Sequence, residues 1–433
     1  MRKQLILLIA ILITLGLSYG DAYSRTEIYN VIDLGVGAAK DINQNGQVVG
    51  ESDGINGFYW DSNSGRQNKD IKLFGINDIG ETTGYSDVGI LVGILWDSNT
   101  DEIFYMGQID GDEALPNAIN NYGQVTGRRY GDQGDQSVYI WDKQNGFNVI
   151  GLDKDGKDIN DYEELVGHGG GSSIHIAWLW DASNGFQPLG VLNDGDSSAA
   201  NAINNLTEVV GNSEFSSLTE THHAFLWSAE TGMQDLGTLG YRPLLEDQSV
   251  AYDINIHGKI VGGSNATSSS EGVGGWVGFV YDAVNGMRDL NDLIPADSGW
   301  TIGRAFGIND LGQIVGQGYI DGLEGSRAFL LTPLTEPTID AILDFFDESV
   351  EDGILEGDGP GKSANGRLNA LRNMLEMAGD LIGVNDYEGA CGQLAAALKK
   401  CDGESRPPDF VAGPATSDLY DMILELMAEL GCE

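Results

Sequence analysis

A short pattern that recurs seven times constrains this chain more than any other feature of its sequence. Each copy has Ile-Asn, a turn, a short apolar run and a Gly seven positions after the Asn; the pairs are Asn43/Gly50, Asn77/Gly84, Asn120/Gly127, Asn160/Gly167, Asn204/Gly211, Asn255/Gly262 and Asn309/Gly316. Successive Asn residues lie 34 to 54 positions apart, which is the length of a small unit that cannot bury its apolar face alone. The pattern therefore predicts units that stack on one another.

The fifth unit indicates what each repeat folds into. Four short strands are predicted near residues 201–204, 208–211, 223–227 and 233–236. The turns carry Gly residues, which can take the positive φ that antiparallel hairpins require. Units four and five have Glu163 and Thr207 where the other five have the Gly of the first turn. Their first turn is therefore expected to differ from the rest.

Two repeated side chains have predicted structural roles. The Asn of each Ile-Asn is expected to fold its amide onto the backbone of the following turn, because seven equivalent copies fit a folding role better than seven ligand sites. The third strand ends in Trp in five units. These rings are expected to fill the space between adjacent sheets: Trp60, Trp96, Trp141, Trp180 and Trp227.

The two ends of the array predict that it closes into a ring. Residues 29–35 match the fourth strand of a unit but have no unit before them, whereas the seventh unit stops after its third strand at residues 328–331. If the first strand completes the last sheet, no terminal sheet is left exposed. The prediction is an all-β, seven-bladed β-propeller over residues 27–333, closed by its N-terminal strand.

A His-Ala-Phe triplet in the fifth unit indicates a family resemblance. His223-Ala224-Phe225 is followed by Leu226-Trp227 and then by Asp235-Leu236-Gly237. In these residues the chain resembles the extracellular HAF-repeat family, and the resemblance extends over about residues 27–333. Units one and two depart from it, with Gly57-Phe58-Tyr59 and Gly93-Ile94-Leu95 in place of the triplet. The resemblance implies a secreted, β-rich repeat protein and supplies no catalytic residue.

The C-terminal part is predicted to be a separate acidic helical bundle, residues 336–433. From residue 336 the apolar spacing changes to a helical period, and helices are predicted at about 338–350, 364–382, 387–400 and 417–430. All three cysteines lie here: Cys391, Cys401 and Cys432. Cys391 and Cys401 on one helix would be about 15 Å apart, too far for a bridge. A Cys401–Cys432 disulfide is therefore predicted.

The N terminus and the charge predict the compartment and exclude some partners. Residues 1–24 contain basic residues at Arg2 and Lys3 and an apolar stretch from Leu5 to Leu17, as in a secretory signal. The stretch is shorter than the roughly 20 residues that span a bilayer, so removal is expected, leaving a secreted, periplasmic or cell-surface protein with no membrane insertion. The formal net charge of −43 disfavours nucleic acid and anionic lipid surfaces as partners.

Acidic loops supply the candidate ligand-binding residues. The fourth-to-first and the second-to-third strand loops are expected on one face of the propeller. The candidates Asp112, Asp155 and Asp194 are all expected in fourth-to-first loops. Their carboxylates serve either solvation or a divalent cation, with calcium as the candidate ion, although no loop fits the calcium-loop pattern. A second candidate set, for a transition metal, is His168, His175 and His222. No other cofactor is indicated.

The sequence contains no nucleophile elbow, zinc-protease motif, phosphate loop or nucleotide fingerprint. The leading hypothesis is a secreted, non-catalytic protein that binds a protein or a surface glycan through the loop-rich face of the propeller. One alternative is a carbohydrate-active hydrolase or lyase that uses loop carboxylates, because such pairs have no linear signature. Another is a structural envelope or matrix protein with no discrete site.

Overall fold

The computed structural model of this chain describes residues 28–52, 56–87, 90–109, 111–131, 136–169, 175–216, 221–240, 248–265, 275–334, 339–351, 353–358, 362–384, 386–401 and 410–432. The predicted signal segment, residues 1–24, lies outside the described residues. The chain divides into two compact units, residues 1–333 and residues 334–433.

Seven four-stranded sheets form a seven-bladed β-propeller in the first unit, as the sequence predicts. After β1 (Ile28–Val36), blade 1 has β2 (Ala38–Ile42), β3 (Val48–Glu51), β4 (Gly57–Asp61) and β5 (Gly65–Lys69). Blade 2 has β6 (Lys72–Ile76), β7 (Glu81–Asp87), β8 (Leu91–Asp97) and β9 (Glu102–Gly107), and blade 3 has β10 (Glu113–Ile119), β11 (Val125–Tyr130), β12 (Gln136–Asp142) and β13 (Gly146–Leu152). Blade 4 has β14 (Lys154–Ile159), β15 (Leu165–Gly169), β16 (Ile176–Asp181) and β17 (Gly185–Gly190).

The last three blades follow the same plan. Blade 5 has β18 (Ser198–Ile203), β19 (Val209–Ser216), β20 (Thr221–Ser228) and β21 (Gly232–Gly237). Blade 6 has β22 (Ser249–Ile254), β23 (Ile260–Asn265), β24 (Trp276–Asp282) and β25 (Gly286–Asp289), followed by a short 3-10 helix (Leu290–Leu293). Blade 7 has β26 (Trp300–Ile308), β27 (Ile314–Ile320) and β28 (Arg327–Leu334).

The N-terminal strand closes the ring, as predicted. The fourth strand of blade 7 is β1, which pairs with β28. Across this pair the Arg327 guanidinium donates to both carboxylate oxygens of Asp33 at 2.5–3.0 Å. Tyr29 and Leu34 of β1 are buried. The closing strand is therefore held by apolar burial as well as by hydrogen bonds.

Blade-to-blade packing forms the core of the propeller. Among the described residues, each of the seven interfaces between neighbouring blades has its own cluster of buried apolar side chains. Trp96 and Trp141 are buried within these clusters, and the other three predicted Trp residues pack against them while partly exposed: Trp60, Trp180 and Trp227. The rings thus lie between adjacent sheets, as expected from the sequence.

Backbone crowding explains the Gly of each repeat. The first strand of every blade has a register shift directly beside the residue that pairs with this Gly. The bulge brings a first-strand carbonyl oxygen so close that a Cβ on any of the seven Gly residues would lie 1.7–2.2 Å from it. Only Gly fits at this position.

The first turns of units four and five resemble the other five, so the prediction that they differ is wrong. Glu163 and Thr207 both have φ 60°, close to the 71–83° of the five Gly residues at the same position. In all seven turns the N–H at this position donates to the carbonyl of the repeat's Asn at 3.0–3.2 Å. The surrounding structure imposes the left-handed conformation even where a side chain makes it costly.

Replacing Gly258 by Ala is expected to lower the free energy of unfolding of the propeller by about 1 kcal/mol. Gly258 has φ 71°, and the nearest atom to an added Cβ is 4.0 Å away, so the cost is almost entirely backbone strain. Denaturant unfolding followed by Trp fluorescence measures it, since all eight Trp residues lie in the propeller. Gly258→Asn, which tolerates positive φ better, should cost less. Equal stability of Gly258→Ala and the parent protein would contradict the left-handed turn.

The described residues of the second unit form four helices: α1 (Ile339–Glu351), α2 (Lys362–Gly383), α3 (Tyr387–Leu398) and α4 (Thr416–Glu429). Two short strands, β29 (Glu356–Gly357) and β30 (Val411–Ala412), pair antiparallel. Apolar side chains from all four helices share one core. The Asp386 carboxylate caps α3 by accepting the Gly389 N–H at 3.0 Å.

The predicted Cys401–Cys432 disulfide is wrong, because Cys391 bridges to Cys432 instead. Cys391 is half-buried on α3, and its Cα lies 5.4 Å from that of Cys432. Cys401 follows the end of α3 and is buried in the helical core, where its thiol lies 3.6 Å from the Ala397 carbonyl. Sequence spacing excluded the Cys391–Cys401 pair, but it did not show which of these two cysteines faces inward.

Candidate functional site

A closed circle of hydrogen bonds surrounds the central channel of the propeller. In each blade the side-chain amide nitrogen of the repeat's Asn donates to the main-chain carbonyl of the equivalent Asn in the next blade, at 2.9–3.2 Å. The last of these bonds joins Asn309 to Asn43 and completes the circle. The amide oxygens accept turn N–H groups, as the sequence predicts; Asn43, for example, accepts from Asn45 and Gln47. All seven Asn residues are therefore structural.

A second circle lies at the mouth of the channel, one residue after each Asn. In six of the seven blades, the backbone N–H of this residue donates to a side-chain oxygen of the equivalent residue in the next blade, at 2.9–3.0 Å. The seventh bond, from blade 5 to blade 6, does not form because the equivalent residue of blade 6 is Ile256, which has no side-chain acceptor. Three of the mouth residues are carboxylates: Asp78, Asp161 and Asp310. The mouth is therefore polar and acidic.

Three further carboxylates lie deeper in the channel wall, at the position before Ile-Asn in blades 1, 4 and 6. Asp41, Asp158 and Asp253 each accept the N–H of the following Ile at 2.8 Å. Each also accepts an Ile N–H from the next blade at 2.8–2.9 Å. The cavity beside them, about 230 Å³, is lined by residues of all seven blades. These carboxylates therefore link neighbouring blades by hydrogen bonds.

Burial raises the pKa of all three carboxyl groups. Removal from water raises the pKa of Asp41 to about 7, and repulsion from Asp158 adds to the effect. Burial raises the pKa of Asp158 to about 6. Burial and then the Asp41 carboxylate hold the pKa of Asp253 well above its ordinary value. The backbone hydrogen bonds act in the opposite direction but do not compensate.

Large apolar side chains project from the turns around the channel mouth. The face formed by the turns between first and second strands and between third and fourth strands is called the turn face here. Two positions after the repeat's Asn, five of the seven first turns carry an apolar or aromatic residue with 59–75% of its surface exposed. These five residues are called the apolar ring: Ile79, Tyr122, Tyr162, Leu206 and Leu311. Turn tips normally carry polar residues, so this ring marks the turn face as a candidate interaction surface.

The three predicted ligand-binding aspartates have different surroundings. Asp112 forms an ion pair with Arg129. Asp155 is buried in β14 rather than in a loop, and its carboxylate lies 2.8 Å from Lys157 and 3.2 Å from Arg128. Asp194 is exposed in the segment between β17 and β18. Two of the three candidates are thus internal counter-ions, and the loop placement of Asp155 is wrong.

The structure brings two of the predicted His ligands together. The rings of His168 and His175 lie 5.3 Å apart, centre to centre, and His168 Nε2 is 3.9 Å from Asp155. Burial, followed by the Lys157 ammonium, lowers the pKa of His168 to about 4. His222 pairs in register with Glu214 across β19 and β20. Within the described ranges, no group of three or more His, Cys, Asp or Glu is placed to hold a metal ion.

The loop-rich face predicted to bind ligands is described only in part. The second-to-third strand loops of blades 1 to 6 include residues 53–55, 88–89, 132–135, 170–174, 217–220 and 266–274, which lie outside the described residues. The turn face, in contrast, is described in all seven blades. The Gly residues of these turns predict the backbone conformation but do not reveal the apolar ring. The fixed spacing from the repeat's Asn is the sequence signal that identifies the ring.

Comparisons with known proteins find similar solved structures but no family. No protein-family model and no curated protein matches the chain. The RRP9 WD40 repeats are 11% identical over 71% of this chain and 97% of that chain, with a TM-score of 0.46. TolB from Acinetobacter baumannii is 10% identical over 65% of this chain and 60% of its own, with a TM-score of 0.37. For an acylaminoacyl peptidase from Pyrococcus horikoshii the identity is 10%, the coverage 70% and 52%, and the TM-score 0.46.

The chain therefore spans little more than half the length of TolB and of the peptidase. It is a seven-bladed β-propeller followed by a helical unit. Among the described helices, none is long and apolar enough to cross a membrane.

Proposed function

We propose that this chain is a secreted, non-catalytic protein that binds a partner protein through the turn face of its propeller. The apolar ring is the observation that carries the proposal, because five exposed apolar side chains at equivalent turn tips have no role in packing the blades. The docking surface is assigned to the turn face rather than to the loop-rich face. On the loop-rich side, two of the three candidate aspartates already serve internal ion pairs.

The charge of the turn face indicates what kind of partner fits it. The channel mouth carries three carboxylates, and Glu81, Glu164 and Glu208 lie at the ends of the first turns. A partner surface that combines apolar side chains with positive charge would bury the ring and neutralise this acidity. A strongly acidic partner would be repelled, since the whole chain has a formal net charge of −43.

Secretion is supported by three features. The N-terminal segment has the pattern of a removable signal, and the Cys391–Cys432 disulfide fits an oxidising compartment. The resemblance of residues 27–333 to HAF repeats points in the same direction. The absence of catalysis is supported by the hydrogen bonds that hold the three channel carboxylates to the backbone, since these groups have a structural task.

Selection from a display library of random dodecapeptides against the purified protein tests the proposal. Recovered peptides should bind the parent protein at least about tenfold more tightly than a Leu206→Ser/Leu311→Ser double variant, because both substitutions remove exposed anchors of the ring. The matched control is Leu152→Ser/Leu323→Ser. These two leucines are also at least half exposed but lie away from the first turns.

Equal binding to both double variants and to the parent protein would contradict the assignment of the turn face. Binding of glycans from an array, with no peptide recovered, would favour the glycan alternative. Release of oligosaccharide from a polysaccharide substrate would favour the hydrolase or lyase alternative. Because all four leucines are exposed, neither double variant should change the unfolding midpoint appreciably.

A further inference from the structure

A depression of about 530 Å³ lies on the turn face between the first turns of blades 3 and 4. It is called the tyrosine cleft here, because Tyr122 and Tyr162 both line it. The two residues occupy the same position in successive repeats and are 75% and 71% exposed. Most of each ring is therefore open to a ligand, and the face of a Tyr ring attracts cations.

The charge of the tyrosine cleft is strongly unbalanced. Four carboxylates line it, those of Glu81, Asp142, Asp161 and Glu163, against a single ammonium group, that of Lys143. Lys143 Nζ lies 2.6 Å from Glu81 Oε1, and the Lys143 side chain is 46% exposed. The cleft therefore has an excess of negative charge beside two aromatic faces. This combination matches an arginine or lysine side chain better than a neutral or acidic group.

Glu163 supplies a carboxylate to the cleft from a turn position that is Gly in most of the repeats. Five of the seven first turns have Gly at this left-handed position, and Glu163 occupies it with φ 60°. Thr207 has the same φ in blade 5, so the backbone conformation is shared by the two turns, whereas the carboxylate is specific to blade 4. That carboxylate accepts from Gln124 Nε2 at 2.7 Å and so links blade 4 to blade 3 across the cleft. The Glu163 carboxylate therefore lies in the cleft that both tyrosines line.

We infer that the tyrosine cleft is the subsite for a basic side chain, an arginine or a lysine, of the partner protein. The inference rests on the proposed function, because it names the partner chemistry at one part of the same docking surface. The guanidinium or ammonium group would lie against the tyrosine rings and within reach of the Glu163 carboxylate. The apolar ring would contact the flanking apolar side chains of the same partner segment.

Fluorescence anisotropy with three labelled peptides tests the inference. The probes are Gly-Leu-Arg-Gly-Leu-Arg-Gly and two versions in which each Arg is replaced by citrulline or by Glu. The Arg peptide should bind at least about fivefold more tightly than the citrulline peptide, and its affinity should fall with added salt. Tyr122→Ser, Tyr162→Ser and Glu163→Gln should each reduce this preference. Lys143→Gln should increase it, since it removes the one competing cation.

Matched controls and outcomes separate this inference from the proposed function. Tyr105→Ser and Glu102→Gln change exposed residues of β9 outside the cleft and should leave the preference intact. Loss of binding in Leu206→Ser/Leu311→Ser, with no effect of the cleft variants or of citrulline, would overturn the basic subsite but not the docking face. Tyr-dependent binding of maltohexaose in place of the Arg peptide would overturn the basic subsite in favour of a sugar subsite.

Discussion

Replacing Gly211 by Ala is expected to lower the free energy of unfolding of the propeller by about 3 kcal/mol or more. The added Cβ would lie 2.0 Å from the Ala199 carbonyl oxygen. That oxygen belongs to the bulged first strand of blade 5, which pairs with the strand that contains Gly211. The backbone would have to shift to make room, and the shift would disturb two strands and two blade interfaces.

Guanidinium unfolding followed by Trp fluorescence measures this effect. The control is Gly258→Ala, which adds the same atom without a steric clash and should cost only about a third as much. If the two variants are equally stable, backbone crowding is not the reason for the Gly of the repeat. Gly84→Ala offers a second test, because its Cβ would lie 1.7 Å from the Lys72 carbonyl oxygen.

The stability of the propeller should fall as the pH rises from 5 to 8. Asp41 and Asp158 have folded-state pKa values of about 7 and about 6, above the ordinary value near 3.8. The folded state therefore binds more protons than the unfolded state between pH 4 and pH 7. The stabilisation from protonation is complete below the unfolded-state pKa and is lost as the pH passes the folded-state values. The combined loss from these groups should be on the order of 2–4 kcal/mol.

The slope of stability against pH distinguishes these groups from the general charge of the chain. Asp158→Asn removes one titrating group and should flatten the slope between pH 5 and pH 7. The lost acceptor oxygen lowers stability at every pH, so the slope, and not the absolute stability, is the measured quantity. Asp194→Asn changes an exposed carboxylate outside the channel and should retain the parent slope. If stability falls with pH as steeply in Asp158→Asn as in the parent protein, the channel carboxylates do not cause the pH dependence.

The fold was predictable because the repeat expresses it seven times. Each Asn and Gly of the motif has a distinct physical task, the Asn in the hydrogen-bond circle and the Gly beneath the bulged strand. The unmatched first strand and the incomplete last unit then predicted closure. The bond from each Asn amide to the next blade was not predictable, since it depends on the curvature that brings equivalent turns together.

The site was less predictable because single positions carry less information than repeats. From the sequence, Asp155 is expected in a loop, yet it lies in β14. The apolar ring was visible in the sequence at a fixed distance from each Asn, but a turn residue is ordinarily interpreted by its backbone conformation. The disulfide depended on which cysteine faces the helical core, and spacing along one helix does not decide that.

The pairing of β1 with β28 also determines when the molecule can become complete during synthesis. Asp33 and Arg327 are 294 positions apart in the chain, so the last hydrogen-bonded edge waits until nearly the whole propeller has left the ribosome. Until then, the partly synthesised propeller has an unpaired strand edge. Such a long-range final contact makes assembly slow relative to that of local structure, and the growing chain must avoid edge-to-edge association throughout this period.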